Sequence, residues 1–284
     1  MTQIKSILVA LGREGDPVAV LRRSVMLARR FNASIEIFLC EAERAYALQH
    51  QYDVGNSDAV RRASLTKLRA WMERMWSFLD VNDVAVTMEA VYETPLCEAI
   101  SRKVKHSKPD LVIRGIGANG VSTFSVADLD LARSCSAPLL LTRGKPWRST
   151  LSVAAALDIS GEESPELIHA ILRAAKTVAA GCGASLEVLY ASPFDSAAAD
   201  AVKAHRESLC SYAASAGVRP DQVHIVMGDP VRSIPEFVAQ QCYELLVLGA
   251  LTHRKTMTAL VGTLTGRLIE SVQCDLLLVS CSRP

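Results

Sequence analysis

The 284-residue sequence predicts an α/β protein made of two tandem domains, each an open five-stranded parallel sheet with helices on both faces. Three observations carry this. The chain repeats itself once, it places ten short aliphatic runs at comparable spacing in the two halves, and amphipathic helical patterns separate those runs.

The repeat is legible residue by residue. Ser6-Ile7-Leu8-Val9-Ala10-Leu11-Gly12 aligns with Ser152-Val153-Ala154-Ala155-Ala156-Leu157-Asp158, and Ala33-Ser34-Ile35-Glu36-Ile37 with Ala184-Ser185-Leu186-Glu187-Val188. Asp110-Leu111-Val112-Ile113-Arg114-Gly115 aligns with Glu244-Leu245-Leu246-Val247-Leu248-Gly249, and Pro138-Leu139-Leu140-Leu141 with Asp275-Leu276-Leu277-Leu278. The order is the same in both halves, so domains are expected over 1–146 and 147–284, joined through Arg143-Gly144-Lys145-Pro146-Trp147-Arg148.

Strands are expected near 6–12, 34–40, 84–92, 110–116 and 138–143, then near 151–158, 185–191, 222–228, 244–250 and 275–280. The runs are almost continuously aliphatic, as strands covered on both faces require. Between the first two strands of the second half, Leu167, Ile168, Ile171, Leu172, Ala175, Val178 and Ala179 recur at helical spacing. Leu21, Val25 and Ala28 mark the matching helix of the first half. The longest helical stretch, about 55–81, sets Trp71 and Trp76 among Leu65, Leu68, Met72, Met75, Phe78 and Leu79, a pattern of core or interface packing.

Composition narrows the function classes. Half the residues are hydrophobic and 5% aromatic, so the core is aliphatic. No apolar run reaches the roughly 20 residues that span a bilayer, and the N-terminus reads as a strand rather than a leader, so a cytoplasmic protein without a membrane partner is expected. The net charge is +1, with a basic first half and an acidic second half, and neither carries a nucleic-acid footprint. The eight cysteines show no CxxC pair and no metal spacing, and are expected as buried free thiols.

In open parallel sheets ligands bind beyond the carboxyl ends of the strands, where helix N-termini offer free N–H groups. Four places in the second half qualify: Asp158, Gly228-Asp229-Pro230, Gly249 and Gly262-Thr263-Leu264-Thr265. Here the stretch Leu248 to Leu268 resembles the nucleotide motif of the universal stress proteins: a glycine, two residues, a glycine, nine residues, then Gly-Ser/Thr. Gly249 supplies the first position, Gly262-Thr263 the last, and Thr265 the hydroxyl that follows. Asp158 matches the acid ending the family's first strand, and Gly228-Asp229-Pro230 the Gly-x-Pro after its third. The resemblance spans essentially the whole chain and is nearest to the tandem, E-type members. It implies a pseudo-dimeric pair of Rossmann-like, adenine-nucleotide alpha-hydrolase-like domains, with 138–143 and 275–280 pairing edge to edge. It also implies ATP or AMP, with Mg²⁺ beside ATP, at Asp158, Gly228, Gly249, Gly262, Thr263 and Thr265. The motif's second glycine is Thr252, a β-branched residue that resists φ > 0, and His253, Arg254 and Lys255 follow it.

The first half departs further, and no nucleotide is expected there. Gly12 stands in place of Asp158, and Glu93-Thr94-Pro95 in place of Gly-Asp-Pro. Counted forward from Gly115, the Gly-Thr pair falls on Asp128-Leu129; counted back from the last strand, it falls on Ser125-Val126, with Asp128 in place of Thr265. Either register sets a carboxylate beside the expected phosphate, where like charge opposes binding. Gly115-Ile116-Gly117-Ala118-Asn119-Gly120 spells GxGxxG, but after the fourth strand rather than the first, which argues against a dinucleotide site.

No P-loop, GxSxG elbow or HExxH is present, and His169, His205 and His224 have no partner at a recognisable spacing. No catalytic residue and no protein metal site are assigned. The expected role is a non-enzymatic stress-response regulator with a nucleotide in its second domain. A ligand-independent scaffold, a binder of another small molecule, and a weak ATPase stay open, as do a homodimer and the protein partners.

Overall fold

The computed structural model describes residues 3–13, 15–41, 57–93, 95–116, 125–161, 163–192, 199–250 and 264–280. Each aliphatic run becomes a strand. The contacts divide the chain into two units, Gln3–Gly144 and Lys145–Pro284.

In the first unit the elements follow as β1 (Ser6–Leu11), α1 (Pro17–Phe31), β2 (Ser34–Cys40), α2 (Ser57–Ser77), β3 (Val86–Val91), α3 (Leu96–Ser107), β4 (Leu111–Gly115), α4 (Val126–Ser134) and β5 (Leu139–Thr142). The strands are parallel in the order β3-β2-β1-β4-β5. In the second unit come β6 (Ser152–Ala156), α5 (Pro165–Cys182), β7 (Ser185–Ser192), α6 (Ala199–Ser215), β8 (Val223–Met227), α7 (Pro230–Gln240), β9 (Leu245–Gly249), α8 (Leu264–Ser271) and β10 (Asp275–Val279). Their order, β8-β7-β6-β9-β10, is again parallel. In each unit the chain starts at the central strand, steps outward twice, then returns to the other side.

The core sits where the repeats are most alike. Ile7 to Leu11 of β1 and Val153 to Ala155 of β6 are at most 2% exposed, because helices cover these strands from both sides. α1 packs beside α2 and α3 beside α4; α5 packs beside α6 and α7 beside α8. The helical stripe of α5 is buried along its length. The outer strands β3 and β8 bury fewer side chains.

Helix ends follow local chemistry. Asp16 caps α1 and Ser164 caps α5, each followed by proline, whose missing N–H costs nothing at that position. The equivalent acids on the second strand of each unit are both satisfied. Glu36 meets Lys103 Nζ at 2.5 Å, and Glu187 meets His224 Nε2 at 2.5 Å and accepts from Tyr243 Oη at 2.6 Å. Burial, reinforced by Glu187, pushes the Tyr243 hydroxyl well above its ordinary range.

Two expectations change. The long helix stops at Ser77, so Phe78 falls outside its stripe and stands 61% exposed; Trp71 lies half-buried beneath the Arg13 guanidinium, 5.8 Å from the ring centre. Of the seven described cysteines, Cys40, Cys135 and Cys182 are buried, whereas Cys242 is exposed on a turn at φ +56°. Burial raises the Cys40 and Cys135 thiols to about 11, so neither supplies thiolate near neutral pH. Cys281 lies outside the described residues.

Leu246, fully buried in β9, sets the scale for core substitutions. Leu246→Ala is expected to lower stability by about 2–5 kcal/mol, and Phe78→Ser to change it by no more than about 0.5 kcal/mol. Urea unfolding followed by circular dichroism checks both.

Candidate nucleotide cleft

In the second unit the carboxyl ends of β6, β7 and β9 and the starts of α7 and α8 surround a cleft of about 640 Å³, counting its open mouth. Ala156, Leu157, Ala191, Ile234, Leu248 and Leu268 give it apolar walls, while Asp158, Ser160, Glu163, Tyr190 and Thr265 supply polar groups. A small apolar body with a few placed polar partners is the usual form of a ligand site.

The cleft brings together Asp158, Gly249 and Thr265. Asp158 leaves the end of β6 with its Oδ1 accepting Ser160 N at 2.9 Å, a short local turn that holds the carboxylate in the lining. Gly249 ends β9. Thr265, in the first turn of α8, turns its hydroxyl toward the Gly249 carbonyl at 3.4 Å. Gly228 is not among the lining residues; at φ +110° it turns the chain into α7, and Pro230 reaches the cleft instead. Gly262, Thr263, Thr252 and the basic run His253, Arg254 and Lys255 lie outside the described residues, as do Thr94 and Gly117 to Gly120.

Glu163 was not legible in the sequence as a site residue. Its Oε2 accepts Asp158 N at 3.0 Å, and its Oε1 lies 2.6 Å from where a Cβ on Gly249 would stand. Glycine at 249 thus makes room for a carboxylate, at an unremarkable backbone angle. Burial raises this carboxyl from 4.5 to about 7; the bond from Asp158 N works against the rise, and the Asp158 charge adds to it. Tyr190 lines the same cleft, 4% exposed and edge-on to His205 at 5.1 Å, its hydroxyl pushed up by burial and by Asp158.

The first unit fills the equivalent place from within. α4 ends at Ser134 and α8 at Ser271, each five residues before the shared leucine of the next strand, Leu139 or Leu276. The register counted back from the last strand therefore holds, and Asp128 stands where Thr265 stands. The expected bare carboxylate is in fact paired. Asp128, 3% exposed, accepts Arg114 Nε at 2.9 Å through Oδ1, while its Oδ2 accepts Ser125 N at 3.0 Å and Ser125 Oγ at 2.8 Å. Arg114 Nη1 also reaches the Ala10 carbonyl at 3.3 Å, and a Cβ on Gly12 would lie 3.1 Å from it. An internal ion pair, rather than charge repulsion, occupies this crevice.

Two outcomes are expected. The Glu163 carboxyl is raised on folding, so the stability it contributes is complete below pH 4.5 and is lost as pH rises through about 7. Glu163→Gln, which lacks this titration, should gain on the wild type by on the order of 2–3 kcal/mol between pH 5 and pH 8, measured by urea unfolding at each pH. Arg114→Leu should cost about 3–5 kcal/mol by leaving Asp128 buried and unpaired. Adding Asp128→Thr, which completes the pair found in the second unit as Leu248 and Thr265, should restore most of that loss in the same measurement.

Comparison with known proteins agrees with this architecture. The model of the universal stress protein family matches residues 129–280, more than half the chain. Universal stress protein E of Photorhabdus laumondii is 21% identical over an alignment covering 98% of this chain and 96% of the relative. A universal stress protein E homolog of Haemophilus influenzae is 22% identical, covering 99% of each. Two crystal structures share the fold over 98% of this chain. One is a functionally unknown protein from Pseudomonas aeruginosa PAO1, with a TM-score of 0.70, 21% identity and 92% of its own chain covered. The other is a universal stress protein from Archaeoglobus fulgidus DSM 4304, with a TM-score of 0.68, 14% identity and 97% of its chain covered. With two parallel α/β units and a family match that takes in the whole second sheet, the chain belongs to the universal stress protein family.

Proposed function

We propose that this protein is a non-enzymatic regulator or scaffold of the stress response whose second unit binds an adenine nucleotide or nucleoside, while the first serves as a degenerate partner domain. The observation that carries the reading is the contrast between the equivalent crevices: one opens into a cleft lined by Asp158, and the other is occupied by Arg114 and Asp128. The apolar walls fit a purine. The Asp158 carboxylate accepts from ribose hydroxyls or an exocyclic amine, and Gly249 leaves the strand end open to close approach.

The chemistry of the lining favours binding over turnover. Glu163 titrates near neutral pH, but its Oε2 is taken by the Asp158 amide and its Oε1 is packed against Gly249. No group of three or more His, Cys, Asp or Glu able to hold a metal occurs among the described residues. Where ATP is the ligand, Mg²⁺ would enter with its polyphosphate. A cytoplasmic placement is part of the same proposal; no helix among the described residues is long and apolar enough to cross a membrane.

Mass spectrometry of the small molecules released on denaturing the natively purified protein, followed by calorimetric titration with adenosine and with ATP and Mg²⁺, tests the reading. An adenine compound should be recovered or should bind, and Asp158→Ala should weaken it by at least about tenfold, the loss of a hydrogen bond to a charged acceptor. No adenine ligand recovered and no heat at millimolar concentration would leave a ligand-independent scaffold or a site for another small molecule.

A further inference from the structure

The two charged side chains in the described lining of the cleft, Asp158 and Glu163, are both acidic, and neither forms an ion pair among the described residues. Glu163 is seated by geometry. One oxygen is fixed on the Asp158 amide, and the other touches the strand end that Thr265 ties to the first turn of α8. In a parallel sheet, a ligand phosphate settles between a strand's carboxyl end and the start of the following helix. Here that place lies beside Gly249, where the Glu163 carboxylate already is.

We propose that Glu163 determines which class of adenine ligand the cleft accepts: its carboxylate turns a phosphate away from Gly249, so the uncharged nucleoside is preferred over its phosphorylated forms. The proposal rests on the adenine-ligand reading above. Like charges within a few ångströms in a partly dry site repel strongly, and salt screens them little. Asp158 sits on the same side and adds to the repulsion. A nucleoside carries no such charge, and it meets Asp158 as an acceptor for its hydroxyl or amino donors.

The selectivity is also conditional on pH. Burial holds the Glu163 carboxyl near 7, so acidification removes its charge and admits a phosphate. Among the described residues Asp158 acts on it, and Asp158 also acts on Tyr190, whose ring has His205 edge-on at 5.1 Å. The Glu163→Gln variant attributes the effect to this carboxyl.

The test is calorimetric titration of the full chain and of Glu163→Gln with adenosine and with AMP, at pH 6 and pH 8. For the wild type at pH 8, AMP should bind at least about tenfold more weakly than adenosine, and this gap should narrow by about tenfold at pH 6, as removal of one nearby like charge requires. Glu163→Gln should bind AMP at least about tenfold more tightly than the wild type at pH 8, with adenosine changed little, and should keep only the pH dependence of the AMP phosphate itself. AMP binding as tightly as adenosine to the wild type at pH 8 would overturn the proposal while leaving the adenine reading intact. So would a Gln variant with unchanged AMP affinity. The wild-type comparison of the two ligands at pH 8 stands without the variant. If neither ligand binds either protein, the adenine reading itself falls, and this inference with it.

Discussion

The parallel pairing of strands governs everything else in this molecule. A parallel strand cannot return by a hairpin, so each connection must cross over through a helix, and both faces of the sheet become covered. That forces the central strands β1 and β6 to be aliphatic at successive positions, as Ile7 to Leu11 and Val153 to Ala155 are. It also sends every strand's carboxyl end and every following helix start to the same side of the sheet. Because each unit starts at its central strand and builds outward in both directions, the first and fourth strands lie side by side and their following loops diverge. The crevice between those loops is a consequence of topology, and each unit must either leave it open or fill it.

The two units resolve the same crevice differently with few substitutions. In the first, an arginine ends the fourth strand's buried run and an aspartate stands in the first turn of the next helix. The carboxylate is satisfied by a guanidinium and by the Ser125 cap together. A buried pair of this kind contributes little net stability but is costly to break halfway, so the two residues are coupled. In the second, leucine and threonine stand at those positions, no charge needs compensation there, and space remains. Gly12 and Asp158 follow the same logic: the first leaves room for the Arg114 head group, and the second presents an acceptor to an open cleft.

The strands were legible because burial on both faces leaves a run of aliphatic residues that few other environments impose, and all ten lie where the sequence places them. The repeat added a check that one domain alone would not supply. Helix ends were less legible: nothing in Trp76-Ser77-Phe78-Leu79 announces that the stripe stops before Phe78. At the site, Asp158, Gly249 and Thr265 could be read because their spacing survives along the chain, whereas Glu163 could not. It follows Glu162 and precedes a capped helix, where acids are ordinary because they favour the N-terminal end of the dipole. That one of them folds inward against Gly249 depends on a strand more than eighty residues away, a relation local patterning does not carry. The Arg114–Asp128 pair was hidden for the same reason, since each residue reads alone as a polar group at an element's end.

Gly115 and Gly249 show how one requirement can serve opposite ends. Both close the fourth strand of their unit, neither needs a left-handed backbone, and at both a Cβ would meet a neighbour at 2.6 Å. The neighbour is the Val20 methyl in the first unit and the Glu163 carboxylate in the second. Glycine is needed in each case so that the loop or helix after the first strand can close onto the fourth. Val20, itself buried, meets that need with an apolar methyl. Closure by a carboxylate differs, because a buried acid must be answered by a proton, a donor or water, and the Asp158 amide answers one oxygen of Glu163. The raised pKa of Glu163 follows from this: the residue closing this strand end is polar, and it lies in the lining of an open cleft.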